Sequence, residues 1–383
     1  MSPDGAVTPL AAGAARGGTG RPSLPPRRTV LITGGAGFIG ATLAHRLLSA
    51  GTLVGVLDSL ARPGVERNLR WLRDNHGELL RVTIGDVRDA LLVRRLVARA
   101  SAVFHFAAQV AVTTSLASPR PDFDVNAGGT LNLLEAVRGL DDPPPVVITS
   151  TNKVYGTCER LAVTANGSRY VAAHGSPATR GIDESWPVDP RTPYGCSKAA
   201  ADQYALDYAR TFGIPTVVFR MSCIYGPRQI GTEEQGWVAH FVRSAIEGTP
   251  VTIYGDGRQV RDLLHVDDLV EALLLARAQA RALAGQPYNI GGGPEQAVSL
   301  LELLDLLQEL HGPLPACGFE AARTGDQRYY VSDTRRFQAA TGWRPRIGVR
   351  EGVTSLYRWL SDARARPAVP ASAGVQRGTA RAG

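Results

Sequence analysis

The sequence predicts an α/β fold, in which a doubly wound parallel sheet is joined to a smaller C-terminal α/β unit. Residues 29–32 (TVLI) form a short apolar run that leads into a glycine-rich loop and then into the helical pattern ATLAHRLLSAG. A second apolar run, LVGVLD, ends in Asp58. Further apolar runs alternate with segments of helical periodicity, which is typical of parallel sheets covered by helices.

The loop after the first predicted strand reads TGGAGFIG, residues 33–40. Glycines there permit a tight turn and let the backbone approach a pyrophosphate at the helix N-terminus, as in Rossmann-type folds. Asp58 can accept hydrogen bonds from an adenosine ribose and would repel a 2′-phosphate, which favours NAD over NADP. Arg62, close to Asp58 in the sequence, is a cation of the kind that accommodates a 2′-phosphate, so this residue favours NADP. The predicted NAD contacts of this region are Gly34, Gly37, Phe38, Ile39, Gly40 and Asp58.

Later strand ends indicate the same ligand, because ligands gather at the carboxyl ends of strands in open α/β sheets. VTIGDVRD places an acid where it can cap an adenine amino group, and AVFHFAAQ ends in small residues that let a cofactor lie close. His105, inside that apolar run, is interpreted as a hydrogen-bonded core histidine. The further predicted NAD contacts are Asp86, Val87, Ala107, Ala108, Gln109, Asn126, Thr149, Tyr194 and Lys198.

Tyr194 and Lys198 open the run YGCSKAAADQYALDYARTFG and are one helical turn apart, so a helix brings them to one face. A free tyrosine has a pKa near ~10, which is too high for a base at neutral pH. We expect the ammonium to stabilise the phenolate and lower the pKa of Tyr194. The chain has two lysines, Lys153 and Lys198, against forty arginines, which indicates that each lysine supplies a compact point charge.

The net charge of +7 comes from the two ends of the chain. Residues 1–28 contribute +3 and residues 363–383 contribute +4, so residues 29–362 are formally neutral. Both ends are rich in Gly, Ala and Pro and are predicted to be disordered tails. Because nucleic-acid binders carry basic residues as a patch on the folded body, we expect no nucleic-acid partner.

The location of the protein is predicted from what its sequence lacks. There is no apolar run long enough to span a bilayer, and the N-terminus has no apolar core of a secretory signal. The cysteines at 158, 196, 223 and 317 show neither metal nor redox spacing. We therefore expect a cytoplasmic protein with no membrane partner and no metal site.

The predicted domains follow from these elements. An NAD-binding Rossmann domain covers residues 29–225, with returning segments at about 256–280 and 287–293. A substrate-binding domain covers residues 226–255 and 294–362. The segment 157–187, which has few apolar residues, is predicted to be a loop over the site.

Motifs spread over roughly residues 29–360 carry a family resemblance. In its motifs and in their order, the chain resembles the extended short-chain dehydrogenases/reductases that act on nucleotide sugars. The motifs are TGGAGFIG, HFAAQ, STNKVYG, YGCSK, YGPRQ, VRDLLHVDDL and YNIGGG. Within that family, STNKVYG, EEQGWVAHF and GDQRYYVSD resemble the 2-epimerases of CDP-linked deoxysugars. The resemblance implies a tightly bound NAD that is regenerated in each cycle. It also implies a nucleotide-diphosphate sugar as substrate and a homodimer or homotetramer.

The resemblance also implies roles for three residues. Tyr194 would be the base, Lys198 its electrostatic partner and a ribose contact, and Thr151 the hydrogen-bond partner of the reacting hydroxyl. Family dehydratases carry an Asp-Glu pair directly after this threonine, whereas this chain has Asn152 and Lys153. Since neither can act as a carboxylic acid, 4,6-dehydration is disfavoured.

Epimerisation needs no further acid, and the resemblance implies inversion at C-2 through a 2-keto intermediate. A 4-epimerase, or another NAD-dependent modification of a nucleotide-linked hexose, is the alternative. A catalytically silent NAD-binding scaffold is a third hypothesis, against which the intact set of Thr151, Tyr194 and Lys198 argues.

Arginine suits bidentate contacts with the pyrophosphate of a nucleotide sugar. Gln235 and Trp237 are candidates for the sugar or base pocket, with packing at a helix start as the equal alternative. Lys153 fits a substrate contact and a supporting role equally well. The base is left open among cytosine, guanine and uracil. The candidate substrate-binding residues are Thr151, Asn152, Lys153, Arg228, Gln235, Trp237, Arg261 and Arg328.

Overall fold

The computed structural model describes residues 29–173 and 177–365. The predicted tail 1–28 lies outside this part of the chain. Of the predicted tail 363–383, residues 363–365 belong to the last helix and the remainder lies outside the described residues.

The described strands share short lengths of two to six residues. They are β1 Thr29–Thr33, β2 Val54–Asp58, β3 Leu80–Ile84, β4 Ala100–His105, β5 Val146–Thr151, β6 Val163–Asn166, β7 Arg169–Ala172, β8 Thr216–Met221, β9 Cys223–Tyr225, β10 Val251–Tyr254, β11 Val260–His265, β12 Pro287–Ile290, β13 Ala297–Ser299, β14 Cys317–Glu320 and β15 Tyr329–Tyr330.

The described α-helices range from single turns to the long helix that carries Tyr194. They are α1 Phe38–Ser49, α2 Val65–His76, α3 Ala90–Val97, α4 Val112–Ala117, α5 Pro119–Phe123, α6 Gly129–Arg138, α7 Pro193–Phe212, α8 Trp237–Glu247, α9 Val266–Ala278, α10 Ala280–Leu283, α11 Leu300–His311, α12 Arg335–Thr341 and α13 Val349–Ala365.

Seven of the described strands form one parallel sheet in the order β12-β8-β5-β4-β1-β2-β3. β1 lies between β2 and β4, with Val30 opposite Val54 and Thr33 opposite His105. The direction in which strands are added reverses between β1 and β4. At such a switch point a crevice opens above the carboxyl ends of the strands. The predicted doubly wound parallel sheet is therefore confirmed.

Helices cover both faces of this sheet, because strands of a parallel sheet are apolar on both sides. On one face α1 and α9 bury Leu43 and Leu273 against Phe104 of β4. On the other face α6 and α7 bury Leu133 and Leu206. None of the described helices is long and apolar enough to cross a membrane.

Smaller sheets formed by later strands lie beside the large one. β11 pairs with β9, β13 and β15, and β10 pairs in parallel with β14. α8, α11 and α13 pack around Phe241, Leu303 and Leu356. β12 instead completes an edge of the large sheet beside β8. The residue boundaries given above for the two domains stay a prediction.

The sequence predicted that segment 157–187 is a loop. The prediction is wrong for part of the segment, because β6 and β7 form an antiparallel hairpin within it. The hairpin is attached to the turn after β10. The Tyr170 amide donates to the Arg258 carbonyl at 2.9 Å, and the Tyr170 hydroxyl donates to Asp256 at 2.8 Å. These contacts order a segment whose polar composition suggested a loop.

Candidate active site

The glycine loop lies at the switch point of the large sheet. Gly34 has φ +70°, and a Cβ there would lie 2.7 Å from the Ala107 amide nitrogen. A Cβ on Gly40 would overlap the Gly34 carbonyl oxygen. Gly37 precedes α1 and has no side chain to cap it, so no side-chain cap occupies the amide groups of the first turn, which includes Phe38 and Ile39. The loop is a backbone cradle that excludes larger side chains.

Asp58, at the end of β2, is tied to this loop. Its carboxylate accepts from the Ala36 amide and from the Leu60 amide, each at 2.9 Å. Arg62, which argued for a 2′-phosphate, donates instead to the Ile230 carbonyl at 2.8 Å. The nearby cation is therefore directed at a main-chain oxygen, and a ribose contact by Asp58 stays a prediction.

Asp86 and Val87 follow β3 and have different surroundings. The Asp86 carboxylate forms a bidentate ion pair with Arg88, at 2.7 and 3.0 Å, and this pairing lowers the pKa of Asp86. Val87 is buried, and a Cβ on Gly129 would lie 2.6 Å from its side chain. Val87 thus packs against the start of α6, and an adenine contact by Asp86 stays a prediction.

Asn126 is buried and joins the turn after β4 to α7. Its side-chain oxygen accepts from the Gln109 main-chain amide at 2.9 Å, and its side-chain nitrogen donates to the Gln109 carbonyl at 3.1 Å. It also lies 3.0 Å from the Ser197 hydroxyl and 3.2 Å from Asp122. Ala108 lies in the turn that these two bonds between Asn126 and Gln109 fix. Asp122 was not among the predicted site residues. Its position one helical turn before Asn126 was the sequence feature from which this contact could have been predicted.

His105 is a core histidine, as predicted. Its Nδ1 lies 2.7 Å from the Thr33 hydroxyl and its Nε2 lies 3.0 Å from the Thr130 hydroxyl. Thr130 donates its own proton to the Asn126 carbonyl at 2.6 Å, so Nε2 carries the imidazole hydrogen. Burial lowers the pKa of His105 to about 3, and the ring is neutral at physiological pH.

Tyr194, Lys198 and Thr151 meet where α7 crosses the end of β5. The exposed fractions of these residues are 9%, 6% and 8%, respectively. α7 begins here because Thr192 caps the Gly195 amide at 3.1 Å and Pro193 occupies the first turn. The Thr151 hydroxyl lies close enough to the Tyr194 phenol to favour the ionised form of the phenol. The predicted trio is therefore brought together.

The electrostatics of the trio differ from the expectation. Burial raises the pKa of Tyr194 to about 12, while the hydrogen bond with Thr151 acts in the opposite direction. The Lys198 ammonium donates to the Thr149 carbonyl at 2.6 Å, and burial lowers the pKa of Lys198 to about 8. The expected lowering of the Tyr194 pKa is wrong for the protein alone, because burial of the phenol outweighs the other contributions.

Asn152 and Lys153 contact the GDQR motif, which lies far away in the sequence. Asn152 donates to Gln327 at 3.3 Å, and the Lys153 ammonium donates to the Gly325 carbonyl at 3.0 Å. Arg261 donates to Asp326 at 2.7 Å. Three predicted substrate residues are thus gathered at residues 325–327, of which Asp326 and Gln327 were not predicted individually.

Arg228 and Arg328 do not join that group. The Arg228 guanidinium lies over the Trp71 ring of α2, 3.0 Å from its centroid, and burial lowers the pKa of Arg228 to about 10. The Arg328 guanidinium lies 5.9 Å from the centroid of the Tyr170 ring of the hairpin. Substrate contacts by Arg228 and Arg328 stay predictions.

Gln235 and Trp237 precede and begin α8. The Trp237 indole donates toward the Cys223 sulfur at 3.5 Å and packs on Phe241 at 5.8 Å, which favours packing at the helix start. The Gln235 amide donates to the Thr232 carbonyl at 3.1 Å in a tight turn. Arg323, which the sequence did not indicate, lies over the Tyr254 ring at 3.6 Å.

A cavity of about 410 Å³ lies between residues 157–163 and residues 326–329, which include part of the GDQR motif. Its walls carry acids, a cation and apolar side chains, from Thr157, Cys158, Glu159, Leu161, Val163, Asp326, Arg328 and Tyr329. Its volume is within the range of small-molecule pockets, about 300–1,000 Å³. Val163 belongs to the hairpin, so the hairpin contributes a wall.

The switch-point crevice, the glycine cradle and Asp58 fit a dinucleotide, and the buried Tyr-Lys pair beside it defines an NAD-binding oxidoreductase-type site. Residues 30–291 match the model of the "NAD dependent epimerase/dehydratase family". The chain is 42% identical over 347 residues to CDP-paratose 2-epimerase of Salmonella typhi, covering 87% of this chain and 99% of that protein. The chain belongs to the NAD dependent epimerase/dehydratase family, and its cofactor is NAD.

Two further relatives carry related activities in their names. The chain is 36% identical to dTDP-glucose 4,6-dehydratase of Streptomyces antibioticus, covering 90% of this chain and 97% of that protein. The crystal structure of Thermus thermophilus UDP-glucose 4-epimerase in complex with NAD is 34% identical, with a TM-score of 0.72. The similarity covers 88% of this chain and 99% of that one.

Proposed function

We propose that the protein is an NAD-dependent epimerase that inverts C-2 of a CDP-linked deoxysugar similar to CDP-paratose. The observation that carries the proposal is that Thr151, Tyr194 and Lys198 lie together. The two residues after Thr151 are Asn152 and Lys153, where dehydratases of the family carry Asp-Glu. The similarity to the Salmonella typhi 2-epimerase supports the choice of carbon and of nucleotide.

NAD, when bound at the glycine cradle, supplies a hydride acceptor that carries a positive charge in its oxidised form. Gly34, Gly40 and Asp58 would hold its pyrophosphate and ribose, and Lys198 would add a ribose contact. Thr151 would orient the reacting hydroxyl of the sugar by a hydrogen bond. Tyr194 would take the hydroxyl proton as the hydrogen on C-2 leaves with its electron pair.

Tyr194 would return that proton once hydride has come back to the opposite face of the 2-keto sugar. No proton from water and no external reductant enters the cycle. A ketone at C-4 would leave the hydrogen on C-2 without acidity, because C-2 is not adjacent to C-4. Oxidation at the inverted carbon itself is therefore the simpler chemistry.

The sugar has to present both faces in turn, which requires space beside the reacting group. The cavity of about 410 Å³ shares Asp326 with the Lys153 contact, two residues from Thr151. We assign the sugar and its diphosphate to this cavity and to Arg261. Contacts by Arg228, Gln235, Trp237 and Arg328 remain part of the proposal.

The proposal is tested by incubating the purified protein with CDP-paratose in deuterium oxide without added reductant. Inversion at C-2 without solvent deuterium is the expected result, and NMR of the sugar ring reads both. Solvent deuterium at C-2 would exclude direct hydride return. A parallel incubation with UDP-glucose tests the 4-epimerase alternative, which the Thermus thermophilus structure supports.

Assembly into a homodimer or homotetramer is part of the proposal. α7 exposes Tyr204 and Phe212, each 47% accessible, on the side away from the sheet. Light scattering of the wild type and of a Tyr204→Ser/Phe212→Ser variant tests whether this face holds a second copy. A cytoplasmic location is proposed from the cysteine pattern of the sequence.

A further inference from the structure

Lys153 joins two turns that are far apart in the sequence. Its side chain is 21% exposed, and its ammonium lies 3.0 Å from the Gly325 carbonyl and 3.5 Å from Asp326 Oδ1. Both acceptors belong to the turn before Gln327. The lysine therefore links the turn after β5, which carries Thr151, to the turn before β15.

Neutral hydrogen bonds join the same two turns. Asn152 donates to the Gln327 carboxamide oxygen at 3.3 Å. The Gln327 carboxamide nitrogen donates to the Gly156 carbonyl at 2.7 Å. Gln327 is 1% exposed, so these bonds are shielded from water. Lys153 adds the charged contact to an otherwise neutral joint.

Asp326 connects Lys153 to Arg261. Its Oδ1 accepts from Arg261 at 2.7 Å and from the Gln327 amide at 3.0 Å, in addition to the contact with Lys153. The two cations lower the pKa of Asp326, and burial lowers the pKa of Lys153. The Arg261 guanidinium is thereby oriented by a carboxylate whose own position depends on Lys153.

We propose that Lys153 is a positioning residue, which fixes the 325–327 turn and Arg261 relative to Thr151. The inference rests on the proposed function, in which Arg261 holds the diphosphate and Thr151 orients the hydroxyl. A sugar held at its diphosphate reaches Thr151 in the reactive geometry only while the two turns stay locked. Misplacement by about 1 Å can lower a rate about 10²-fold.

The type of residue follows from the geometry. The acceptors are a main-chain carbonyl of Gly325 and one carboxylate oxygen of Asp326, and a compact ammonium on a flexible stem can reach both. A planar guanidinium prefers two parallel acceptors, so arginine would restore the charge and only part of the alignment. This accounts for a lysine in a chain that otherwise uses arginine almost throughout.

The test compares Lys153→Met, which keeps the length and removes the charge, with Lys153→Arg. Arg120→Met, at an 84% exposed side chain, is the control. Each protein is assayed for NAD content, for the Kd of CDP by calorimetry, and for kcat and KM with CDP-paratose. We expect K153M to lower kcat by about 10- to 100-fold and to weaken the Kd of CDP by a clearly smaller factor, since Arg261 still reaches the diphosphate from a shifted position. K153R should recover part of kcat.

An unchanged kcat in K153M would overturn the inference. So would a Kd for CDP weakened as much as kcat falls, since Lys153 would then be a ligand of the nucleotide. Amide hydrogen exchange at residues 325–328 gives a readout without turnover, and it should be faster in K153M than in the wild type. Unchanged exchange would overturn the inference even in an active enzyme. A wild type that inverts no sugar defeats the proposed function alone, because the exchange still tests the joint.

Discussion

The Lys198 ammonium donates a 2.6 Å hydrogen bond to the carbonyl of Thr149, in the same strand that ends with Thr151. The bond joins α7 to β5 at the point where Tyr194 and Thr151 meet. A buried ammonium with one carbonyl partner is held at the expense of stability, because burial disfavours its charged form.

That arrangement predicts a pH dependence of the free energy of unfolding. Burial lowers the pKa of Lys198 from 10.5 to about 8, so between these values the unfolded chain binds more protons than the folded one. Stability contributed by this site therefore rises with pH from about 8 to 10.5, by at most about 3 kcal/mol. Urea unfolding of the wild type and of Lys198→Met, from pH 7 to 10.5, measures it. Parallel curves for the two proteins would contradict the burial of a charged lysine.

Tyr194→Phe tests the base. Removal of the hydroxyl should lower kcat about 10²- to 10⁴-fold, the usual contribution of a general base, with NAD content unchanged. Tyr204→Phe is the matched control, since it lies on the same helix and is 47% exposed. A kcat for Y194F equal to that of Y204F would remove Tyr194 from the reaction.

Gly40→Ala tests the cradle. The added Cβ would overlap the Gly34 carbonyl oxygen and lie 2.7 Å from Gly35 Cα, so the loop has to shift. We expect NAD to bind at least about tenfold more weakly, which corresponds to ~1.4 kcal/mol. Gly77→Ala is the control, because a Cβ there meets nothing within 4 Å. Equal NAD affinity in the two variants, measured by fluorescence titration, would show that the pyrophosphate lies elsewhere.

Asp202→Asn tests a buried ion pair behind the active site. Asp202 and Arg220 are 0% and 3% exposed and form two hydrogen bonds of 2.9 Å. Loss of one partner leaves an uncompensated charge, so the variant should unfold about 3–5 kcal/mol more easily. Glu309→Gln, in an ion pair with Arg350 that is 60% and 64% exposed, should change stability by less than about 1 kcal/mol. Urea unfolding distinguishes the two, and similar losses would contradict the argument.

Local patterns predicted those parts of the site that depend on local geometry. The TGGAGFIG loop, Asp58 and the one-turn spacing of Tyr194 and Lys198 are short-range features, and the structure places each at the crevice. His105 could be interpreted correctly because apolar residues precede and follow it within one predicted strand, and such a strand implies burial.

Features that depend on contacts between distant residues were not predictable in the same way. The pKa of Tyr194 is set by burial among several elements, and spacing along one helix does not report it. Arg228 is positioned by Trp71, which no motif connects to it. The hairpin β6–β7 had a usable signal in Asn166-Gly167, a pair typical of tight hairpin turns, which the low apolar content of its surroundings obscured.

The position of β12 bears on how the chain folds as it is synthesised. β12 pairs with β8 at the edge of the large sheet, yet it is made only after the intervening substrate-binding elements. At 5–20 residues per second, the roughly 65 residues between them take about 3–13 s to appear. During this interval β8 has an unpaired edge, which is a site for pairing with other nascent chains. Ribosome-bound chains that end before Pro287 should therefore depend on chaperones more than chains that extend past Ile290.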